Sequence, residues 1–271
     1  MQEILTAAIE IARAAGDVIR EGFGAAQQVD YKGQVNPVTE TDTAAEALIK
    51  TRLSRAFPDH RILAEETGGA GLDTPGYLWL VDPLDGTNNF ANGYPHFCVS
   101  LGLLRAGEVV LGVIYDPLRD ETFAARRGHG ATLNGAPIRV APAPRLSDAL
   151  LATGFPYVRR TAADNNTRML DHFLRRCQGV RRAGAAALDM AWVACGRLAG
   201  YWEMHLSPWD IAAGIVLVQE AGGVTTDYVG GAARMFNGGE MVASNGLIHA
   251  EMLRVLREGA AAPHPDYPPL D

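Results

Sequence analysis

The feature that most constrains the fold of this chain is a short apolar run that ends in two closely spaced carboxylates. Residues 77–81 are compact and apolar, and Asp82-Pro83-Leu84-Asp85-Gly86-Thr87 follows them directly. A continuous apolar run of this length, bounded by glycine and proline, is typical of a strand that is buried on both faces. The sequence therefore predicts a buried strand, covered by other elements, whose end presents two acidic side chains from one tight turn.

Helical periodicity precedes this strand. Apolar residues at helical spacing predict a first helix over 3–22. A second helix is predicted from about 41–43 to Phe57, where Pro58 stops it, with Thr43 and Glu46 as a capping box. The compact run at 61–64 predicts a strand between this helix and the run at 77–81.

The rest of the chain mixes both kinds of element. Strands are predicted at 97–104, 109–115, 121–126, 148–153, 179–183, 200–204 and 241–244, with a hairpin turn at Asn134-Gly135. Helices are predicted at 162–176, 207–221 and 247–257. This pattern predicts an α+β fold in which sheets are covered by helices.

The spacing of prolines at 141–144 predicts a seam between two parts of the chain. The predicted organisation is an N-terminal α+β half over 1–145 and a C-terminal α/β half over 146–258. The segment 259–271 is rich in alanine and proline and is predicted to be a disordered tail.

Composition excludes several classes of partner and compartment. The chain has 31 acidic and 24 basic residues, a net charge of −7, and no basic run, which predicts no nucleic-acid partner. No apolar stretch approaches the roughly 20 residues of a membrane-spanning helix, so no membrane association is predicted. The acidic start of the chain argues against a signal peptide, and the 3 cysteines lack CxxC spacing. These features predict a cytoplasmic protein with reduced thiols.

Motifs for covalent catalysis and for nucleotide binding are absent from the sequence. There is no P-loop, GxGxxG, GxSxG or HExxH motif. No cysteine precedes an arginine by six positions, and Asp82 and Asp85 are three apart rather than two, which argues against cysteine and aspartyl-phosphate phosphatases. The sequence therefore shows no evident nucleophile that would form a covalent intermediate.

Acidic residues instead stand where predicted strands end and where a helix begins. Glu65-Glu66, Asp82 and Asp85 follow apolar runs, and Asp210 lies in Ser207-Pro208-Trp209-Asp210, a typical helix start. Each has an ordinary structural explanation, as a turn residue, a solvated strand end or a first-turn acid favoured by the helix dipole.

Taken together, these residues favour metal-assisted chemistry. Asp82, Asp85 and the Leu84 carbonyl are the oxygen ligands that Mg²⁺ prefers. The N–H groups of Gly86 and Thr87 would offer a seat for phosphate oxygens, and the Thr87 hydroxyl could orient a water. This arrangement is typical of phosphoester hydrolysis.

The residues that carry this chemistry also carry a family resemblance. Trp79 to Phe90, with Glu65-Glu66 upstream and Trp209-Asp210 through Gly222-Gly223 downstream, closely resembles the inositol monophosphatase family. The resemblance extends over nearly the whole chain. It implies a layered αβαβα sandwich of the inositol monophosphatase / fructose-1,6-bisphosphatase type, a homodimer, and a lithium-sensitive phosphomonoesterase that uses two or three Mg²⁺ ions.

The resemblance also implies a role for individual residues. Glu65, Asp82 and the Leu84 carbonyl would hold a first metal ion, and Asp82, Asp85 and Asp210 a second. Glu65 and Thr87 would activate the attacking water. Asp42 would accept a hydrogen bond from Thr87.

Substrate contacts follow in the same way. The residues implied are Asp85, Gly86, Thr87, Arg181, Gly184, Ala185, Glu203 and Asp210. Arg181 is favoured over Arg182 because the side chains of a strand alternate between its faces. Ala185 stands where the family commonly has serine or threonine, so a preference for inositol stays open at this point.

The expected substrate is a small-molecule phosphate monoester. The leading hypothesis is Mg²⁺-dependent hydrolysis of myo-inositol monophosphate by direct attack of a metal-activated water. The alternatives are a phosphatase of the same superfamily that acts on fructose 1,6-bisphosphate, histidinol phosphate or a nucleotide 3′-phosphate, and a non-catalytic regulatory dimer on the same fold.

Overall fold

The computed structural model describes residues 1–24, 29–32, 36–157 and 165–263. The helices are α1 (Gln2–Gly22), α2 (Glu40–Ala56), α3 (Thr87–Ala91), α4 (Thr167–Leu174), α5 (Ala186–Ala194), α6 (Pro208–Glu220), α7 (Ala233–Gly238) and α8 (His249–Ala261). The strands are β1 (Val29–Lys32), β2 (Asn36–Thr39), β3 (Arg61–Ala64), β4 (Gly68–Gly69), β5 (Tyr77–Asp85), β6 (Cys98–Arg105), β7 (Glu108–Asp116), β8 (Glu121–Arg126), β9 (Ala131–Leu133), β10 (Ala136–Pro137), β11 (Leu150–Thr153), β12 (Gly179–Arg181), β13 (Gly200–Glu203), β14 (Val224–Thr226) and β15 (Met241–Ser244).

Two large sheets form the framework. The first has 8 strands in the order β10-β9-β8-β7-β6-β5-β3-β4, and the second has 5 strands in the order β12-β11-β13-β15-β14. In the first sheet β3 runs parallel to β5, and in the second β11 runs parallel to both β12 and β13. A separate two-stranded sheet pairs β1 with β2.

Side chains of β5 point alternately to the two faces of the larger sheet, and each face packs against a different part of the apolar core. Trp79 and Val81 pack with residues of α1 and α2, whereas Leu78 and Leu80 pack with α5, α6 and the five-stranded sheet. The outer face of the five-stranded sheet packs against α4 and α8. The layers therefore run helix, sheet, helix, sheet, helix, which confirms the αβαβα sandwich.

Helix α6 lies very close to the larger sheet because two strand positions have no side chain. A Cβ on Gly102 would come within 2.6 Å of the Ala212 Cβ, and one on Gly112 within 2.6 Å of the Ala213 carbonyl oxygen. Real Cβ atoms do not approach other atoms so closely, so glycine is required at both positions. This contact fixes the start of α6 near the end of β5.

The beginning of α2 differs from the predicted one. Thr39, not Thr43, is the N-cap, and the Thr39 N–H donates to Asp42 Oδ2 at 2.8 Å. The carboxylate of Glu46 instead accepts from the N–H groups of Glu66 and Thr67, at 2.8 and 3.1 Å. The predicted capping box was wrong because Glu46 is taken up by a tertiary contact.

Other boundaries agree more closely with the sequence. Strands 61–64 and 241–244 have the predicted bounds, and Asn134 and Gly135 have the positive φ values of 49° and 81° that a tight hairpin turn requires. Helix α8 continues to Ala261, past the predicted start of the tail at 259, and residues 264–271 lie outside the described residues. The predicted helix over 162–176 forms only at Thr167–Leu174, and residues 162–164 are likewise outside the description.

The predicted boundary at 145/146 lies between the two sheets in sequence. The larger sheet ends with β10, and the five-stranded sheet begins with β11, after one turn of 3-10 helix at Leu146–Asp148. The two halves nevertheless share one apolar core, which contains Leu80 of the first half and Ile211 of the second. Within the described part of the chain, no helix has the length and apolar character needed to span a membrane.

Candidate active site

The first two acidic residues of the site face the same side of β5 because this strand contains a bulge. Asp82 pairs with Ser100 and Asp85 with Cys98, so the three steps on β5 oppose two steps on β6. In a regular strand, residues three apart point to opposite faces, and one extra residue brings them to the same face. The predicted tight turn is therefore a bulge inside a strand that continues to Asp85.

Helix α5 holds the Asp85 carboxylate. Its first N–H groups, from Ala186 and Ala187, donate to Asp85 Oδ1 and Oδ2 at 3.2 and 2.8 Å. Negative charge is stabilised at a helix N-terminus. Burial nevertheless raises the pKa of Asp85 to about 7, and the negative charges of Glu203 and Glu65 add to this effect.

Helix α6 supplies Asp210 from the other half of the chain. Asp210 is the third residue of the helix and accepts a hydrogen bond from the Ser207 N–H at 2.7 Å. The Ser100 hydroxyl of β6 donates to the Trp209 carbonyl at 3.2 Å and so ties this helix start to the larger sheet. Burial raises the pKa of Asp210 to about 8, with a further contribution from the charge of Asp85.

Glu65 lies beside Asp82. Burial raises the pKa of Asp82 well above its ordinary value, followed by the charges of Glu65, Asp85 and Asp210 and by a hydrogen bond to Glu65. Glu65 is positioned through its backbone, since its N–H donates to the Val81 carbonyl at 3.1 Å. The four carboxylates are thus close enough to oppose one another's ionisation.

Thr87 connects the carboxylates to a further buried acid, Asp42. Its hydroxyl lies 3.0 Å from Asp42 Oδ1 and 3.0 Å from the Leu84 carbonyl oxygen. A hydroxyl has one proton, so it can donate to only one of them at a time. The other oxygen of Asp42 caps α2 through Thr39, so the same carboxylate orients Thr87 and begins a helix.

These side chains line a cleft of about 160 Å³. The predicted residues that line it are Glu65, Asp82, Leu84, Asp85, Gly86, Thr87, Gly184, Glu203 and Asp210. Asp42 is 1% exposed and lies behind Thr87. The structure therefore brings together, from both halves of the chain, most of the residues that the sequence singled out.

Two residues predicted to contact the substrate, Arg181 and Ala185, are not among the residues that line the cleft. Strand β12 ends at Arg181, whose exposed side chain donates to the Val180 carbonyl, so the strand alternation does not extend to the next residue. Arg182 lines the cleft instead. Burial raises the pKa of Glu203 to about 7, and the hydrogen bond from Tyr201 and the positive charge of Arg182 oppose this rise. Ala185 is 1% exposed and lies beneath the cleft as the N-cap residue of α5.

The backbone conformation and the close neighbours of Gly86 require a glycine at this position. Its φ of 95° is in the left-handed region. A Cβ at this position would lie 3.0 Å from the His96 carbonyl oxygen and 3.3 Å from the Ala185 Cβ. The glycine thus permits a tight junction between α3 and the N-terminus of α5, in addition to any close approach of a ligand.

Sequence reasoning missed several residues of the cleft. Gly154, Phe155, Tyr157 and His205 line it together with Arg182. Gly154 and Phe155 follow the carboxyl end of β11, which lies parallel to β13, the strand that ends at Glu203. Loops at the carboxyl ends of neighbouring parallel strands meet at one edge of a sheet, and this rule would have indicated them.

The donor set suits a hard divalent cation. Among the residues with described placement, no three acidic, histidine or cysteine side chains already have the arrangement of a metal site. The donors that face the cleft are nevertheless oxygen atoms, and the pKa values of Asp82, Asp85 and Asp210 are raised by burial and by mutual repulsion. A bound cation would remove that repulsion, so these residues fit Mg²⁺.

Comparison with known proteins agrees with this geometry. Residues 1–261 match the family model described as "Inositol monophosphatase family". The chain belongs to the inositol monophosphatase family. An inositol-1-monophosphatase of Synechocystis is 46% identical over 258 residues, which cover 94% of this chain and 89% of the relative. The "Nus factor SuhB" of Escherichia coli is 40% identical over 260 residues, which cover 95% of this chain and 97% of the relative.

A solved structure shows the same fold. An inositol monophosphatase from Anabaena superimposes with a TM-score of 0.87 at 45% identity, covering 99% of this chain and 98% of that protein. This similarity and the family match support a phosphatase that acts on small phosphate monoesters.

Proposed function

We propose that this member of the inositol monophosphatase family hydrolyses myo-inositol monophosphate to inositol and phosphate and requires Mg²⁺. The observation that carries the proposal is the convergence of Asp82, Asp85 and Asp210 on one cleft, beside Glu65 and a Thr87 hydroxyl held by Asp42. Relatives from Synechocystis and Mesorhizobium japonicum named inositol-1-monophosphatase, at 46% and 41% identity, support the substrate class.

Two or three Mg²⁺ ions would bind among the oxygen donors of the cleft. Glu65, Asp82 and the Leu84 carbonyl would hold one ion, and Asp82, Asp85 and Asp210 a second. When bound, the metal supplies positive charge for the phosphate oxygens and lowers the pKa of water.

The chain's own residues would prepare the water for attack. The Thr87 hydroxyl would donate a hydrogen bond to Asp42, which leaves an oxygen lone pair to accept a hydrogen bond from the water. Glu65 would take the water's other proton as the water oxygen forms a bond to phosphorus and the bond to the inositol oxygen breaks. The leaving inositol oxygen would take a proton from solvent water, and the proton on Glu65 would return to solvent. Nothing in this scheme requires a phosphoenzyme.

The opposite wall of the cleft would bind the alcohol. Glu203 and Arg182 lie there, on the five-stranded sheet and the segment after β12. A carboxylate accepts hydrogen bonds from ring hydroxyls, and a guanidinium donates to them. The remaining proposed contacts with the substrate come from the N–H groups of Gly86 and Thr87 and from Gly184.

Phosphate release from a panel of esters tests the proposal. The panel contains myo-inositol 1-phosphate, fructose 1,6-bisphosphate, histidinol phosphate and a 3′,5′-bisphosphonucleotide, each with and without Mg²⁺ and with added Li⁺. We expect Mg²⁺-dependent, Li⁺-inhibited turnover that is highest for the inositol ester. A higher kcat/KM for another ester would refute the proposed substrate but not the proposed phosphatase activity.

An isosteric variant tests the metal assignment. Asp85→Asn removes one negative charge without changing the size of the side chain, so we expect turnover at saturating Mg²⁺ to fall by at least about a hundredfold while the protein remains folded. Asp148→Asn is the control, because Asp148 forms an ion pair with Arg145 on the surface. Wild-type turnover in Asp85→Asn would contradict the proposed ligand set.

The family resemblance supports a finer proposal on assembly, and the composition supports proposals on location and partners. We propose a cytoplasmic homodimer with no membrane or nucleic-acid partner. Sedimentation equilibrium of the purified protein would show a dimer, and a mass of one chain would refute this proposal.

A second candidate function comes from the relatives named "Nus factor SuhB". Their names indicate a role other than hydrolysis, and this chain could act in the same way as a non-catalytic regulatory dimer. Absence of Mg²⁺-dependent turnover, together with capture of a partner in stoichiometric amount, would favour this candidate. The complete set of carboxylates in the cleft favours hydrolysis.

A further inference from the structure

The Glu203 carboxylate at the alcohol side of the cleft is held from two directions. Tyr201 and Glu203 are two residues apart on β13, so their side chains lie on the same face of the strand. The Tyr201 hydroxyl donates to Glu203 Oε2 at 2.6 Å. The tyrosine is fully buried, and its hydroxyl therefore reaches the cleft only through this carboxylate.

Gly154 closes the other side of the carboxylate. A Cβ at this position would overlap Glu203 Oε1, Oε2 and Cδ, so the carboxyl group lies directly against the glycine backbone. Any larger residue would force the glutamate into another rotamer. The absence of a side chain at 154 is thus what allows Glu203 to lie where Tyr201 can bind it.

A buried network fixes the backbone on which this contact depends. The Asn166 side-chain amide donates to the Gly154 carbonyl at 2.6 Å and to Thr153 Oγ1 at 2.8 Å. Trp202 of β13 donates from Nε1 to Asn166 Oδ1 at 2.7 Å. Asn166 is fully buried, and the loop after β11 is therefore locked to β13.

We propose that Tyr201 is a positioning residue for substrate selection. With Oε2 bound by the Tyr201 hydroxyl, Glu203 Oε1 has no hydrogen bond within the described part of the chain and would accept one from a ring hydroxyl of a polyol phosphate. The clamp of Tyr201, Glu203 and Gly154 then selects polyol esters over phosphate esters that have no hydroxyl to offer. The inference rests on the proposed function, because it assigns the alcohol of the substrate to this wall of the cleft.

The position of the clamp predicts an effect on binding rather than on phosphate chemistry. Tyr201, Glu203 and Gly154 belong to the five-stranded sheet and its loop, whereas Asp82 and Asp85 belong to the larger sheet. Loss of the tyrosine hydroxyl lets the carboxylate change rotamer without altering the bulge in β5. The binding of the phosphate group should therefore be unaffected.

Tyr201→Phe tests the proposal, with Tyr115→Phe as a matched control. Tyr115 is also a buried tyrosine whose hydroxyl donates to a carboxylate, Asp120, at 3.0 Å, but it lies on β7. KM and kcat are measured for myo-inositol 1-phosphate and for p-nitrophenyl phosphate, which has no hydroxyl for Glu203. We expect Tyr201→Phe to raise KM for the inositol ester about tenfold, with kcat within about twofold of wild type.

The contrast between substrates decides the outcome. Both variants should retain wild-type kcat/KM for p-nitrophenyl phosphate, and Tyr115→Phe should also retain it for the inositol ester. An equal loss on both esters, or no change on either, would overturn the role of Tyr201.

Calorimetric binding separates this inference from the proposed function. If the wild-type protein releases no phosphate from any ester with Mg²⁺, the proposed function fails, but binding of myo-inositol 1-phosphate and of inorganic phosphate can still be compared. Weaker binding of the inositol ester alone in Tyr201→Phe supports the clamp. Equal affinity of both proteins for the ester, or no binding by wild type, refutes it.

Discussion

At the scale of single residues, one carboxylate often serves both structure and the cleft. Asp42 caps α2 and accepts a hydrogen bond from the Thr87 hydroxyl. Asp210 accepts a hydrogen bond from the Ser207 N–H at the start of α6 and also faces the cleft. A helix start provides a carboxylate with a fixed rotamer, which is what a preorganised site needs. The sequence revealed Asp210 because it stands where a helix begins, whereas Asp42 came from the family resemblance.

The Thr87 hydroxyl gives a prediction at this scale. Thr87→Val keeps the shape of the side chain but cannot donate to Asp42 or accept from a water, so kcat should fall about a hundredfold. Thr87→Ser keeps the hydroxyl and should retain most of the activity. Steady-state kinetics at saturating Mg²⁺ checks both variants, and wild-type kcat in the valine variant would exclude the hydroxyl from the reaction.

His96 gives a prediction on pH and stability. Burial lowers its pKa to about 4, with a further contribution from the positive charge of Arg119. Since the unfolded chain binds this proton near pH 6.5, the stability that neutral His96 contributes is present above pH 6.5 and is lost as the pH falls towards 4. The loss should reach about 1 kcal/mol at pH 5.5.

Urea unfolding at pH 7.5 and 5.5 isolates this contribution. His96→Gln has no group that titrates here, so its free energy of unfolding minus that of wild type should be about 1 kcal/mol higher at pH 5.5 than at pH 7.5. Equal differences at both pH values would mean that His96 has an ordinary pKa in the folded protein.

At the scale of elements, local patterns predicted the strands and helices more accurately than they predicted the contacts between them. The apolar runs gave the bounds of both β3 and β15, although only β15 is buried along its whole length. Arg182 lines the cleft although alternation favoured Arg181, since alternation holds only as far as β12 extends. Glu46 was also misassigned, as nothing in the local sequence shows that its partners lie 20 residues away.

The contact between α6 and the larger sheet leads to a prediction at this scale. In Gly112→Ala the new Cβ would lie 2.6 Å from the Ala213 carbonyl oxygen and 2.7 Å from Val216 Cγ1. The helix must shift, which should cost about 1–3 kcal/mol of stability. Because α6 carries Asp210, the Mg²⁺ concentration for half-maximal activity should also rise.

A second glycine provides the control for this variant. A Cβ on Gly71 would meet nothing within 4 Å, so Gly71→Ala should leave both stability and Mg²⁺ activation unchanged. Urea unfolding and Mg²⁺ titration of activity measure the two effects. A Gly112→Ala protein with wild-type stability would show that α6 is not held as closely as its packing indicates.

At the scale of the whole molecule, the cleft depends on the order of the layers. Asp85 of the larger sheet is bound by α5, and Glu203 comes from the five-stranded sheet beyond that helix. The sequence patterns predicted mixed helices and sheets, but the order of the layers came only from the family resemblance. Packing between layers depends on contacts that are distant in sequence, and periodicity does not report them.

This arrangement places several buried negative charges between two sheets, and the stability of the whole molecule should therefore depend on a cation. The pKa values of Asp82, Asp85 and Asp210 are all raised by burial, and repulsion among the three carboxylates adds to the effect. A divalent ion that binds only the folded protein should raise the melting temperature. The free energy of unfolding should rise by about 2.7 kcal/mol when the ion concentration is one hundred times its Kd.

Thermal unfolding in EDTA and in increasing MgCl₂ measures the effect, and NaCl at matched ionic strength controls for general screening. Asp85→Asn should lose most of the gain, because it removes one of the charges that bind the ion. An equal rise in NaCl, or no rise in MgCl₂, would mean that the carboxylates do not bind Mg²⁺ and would remove the basis of the proposed reaction.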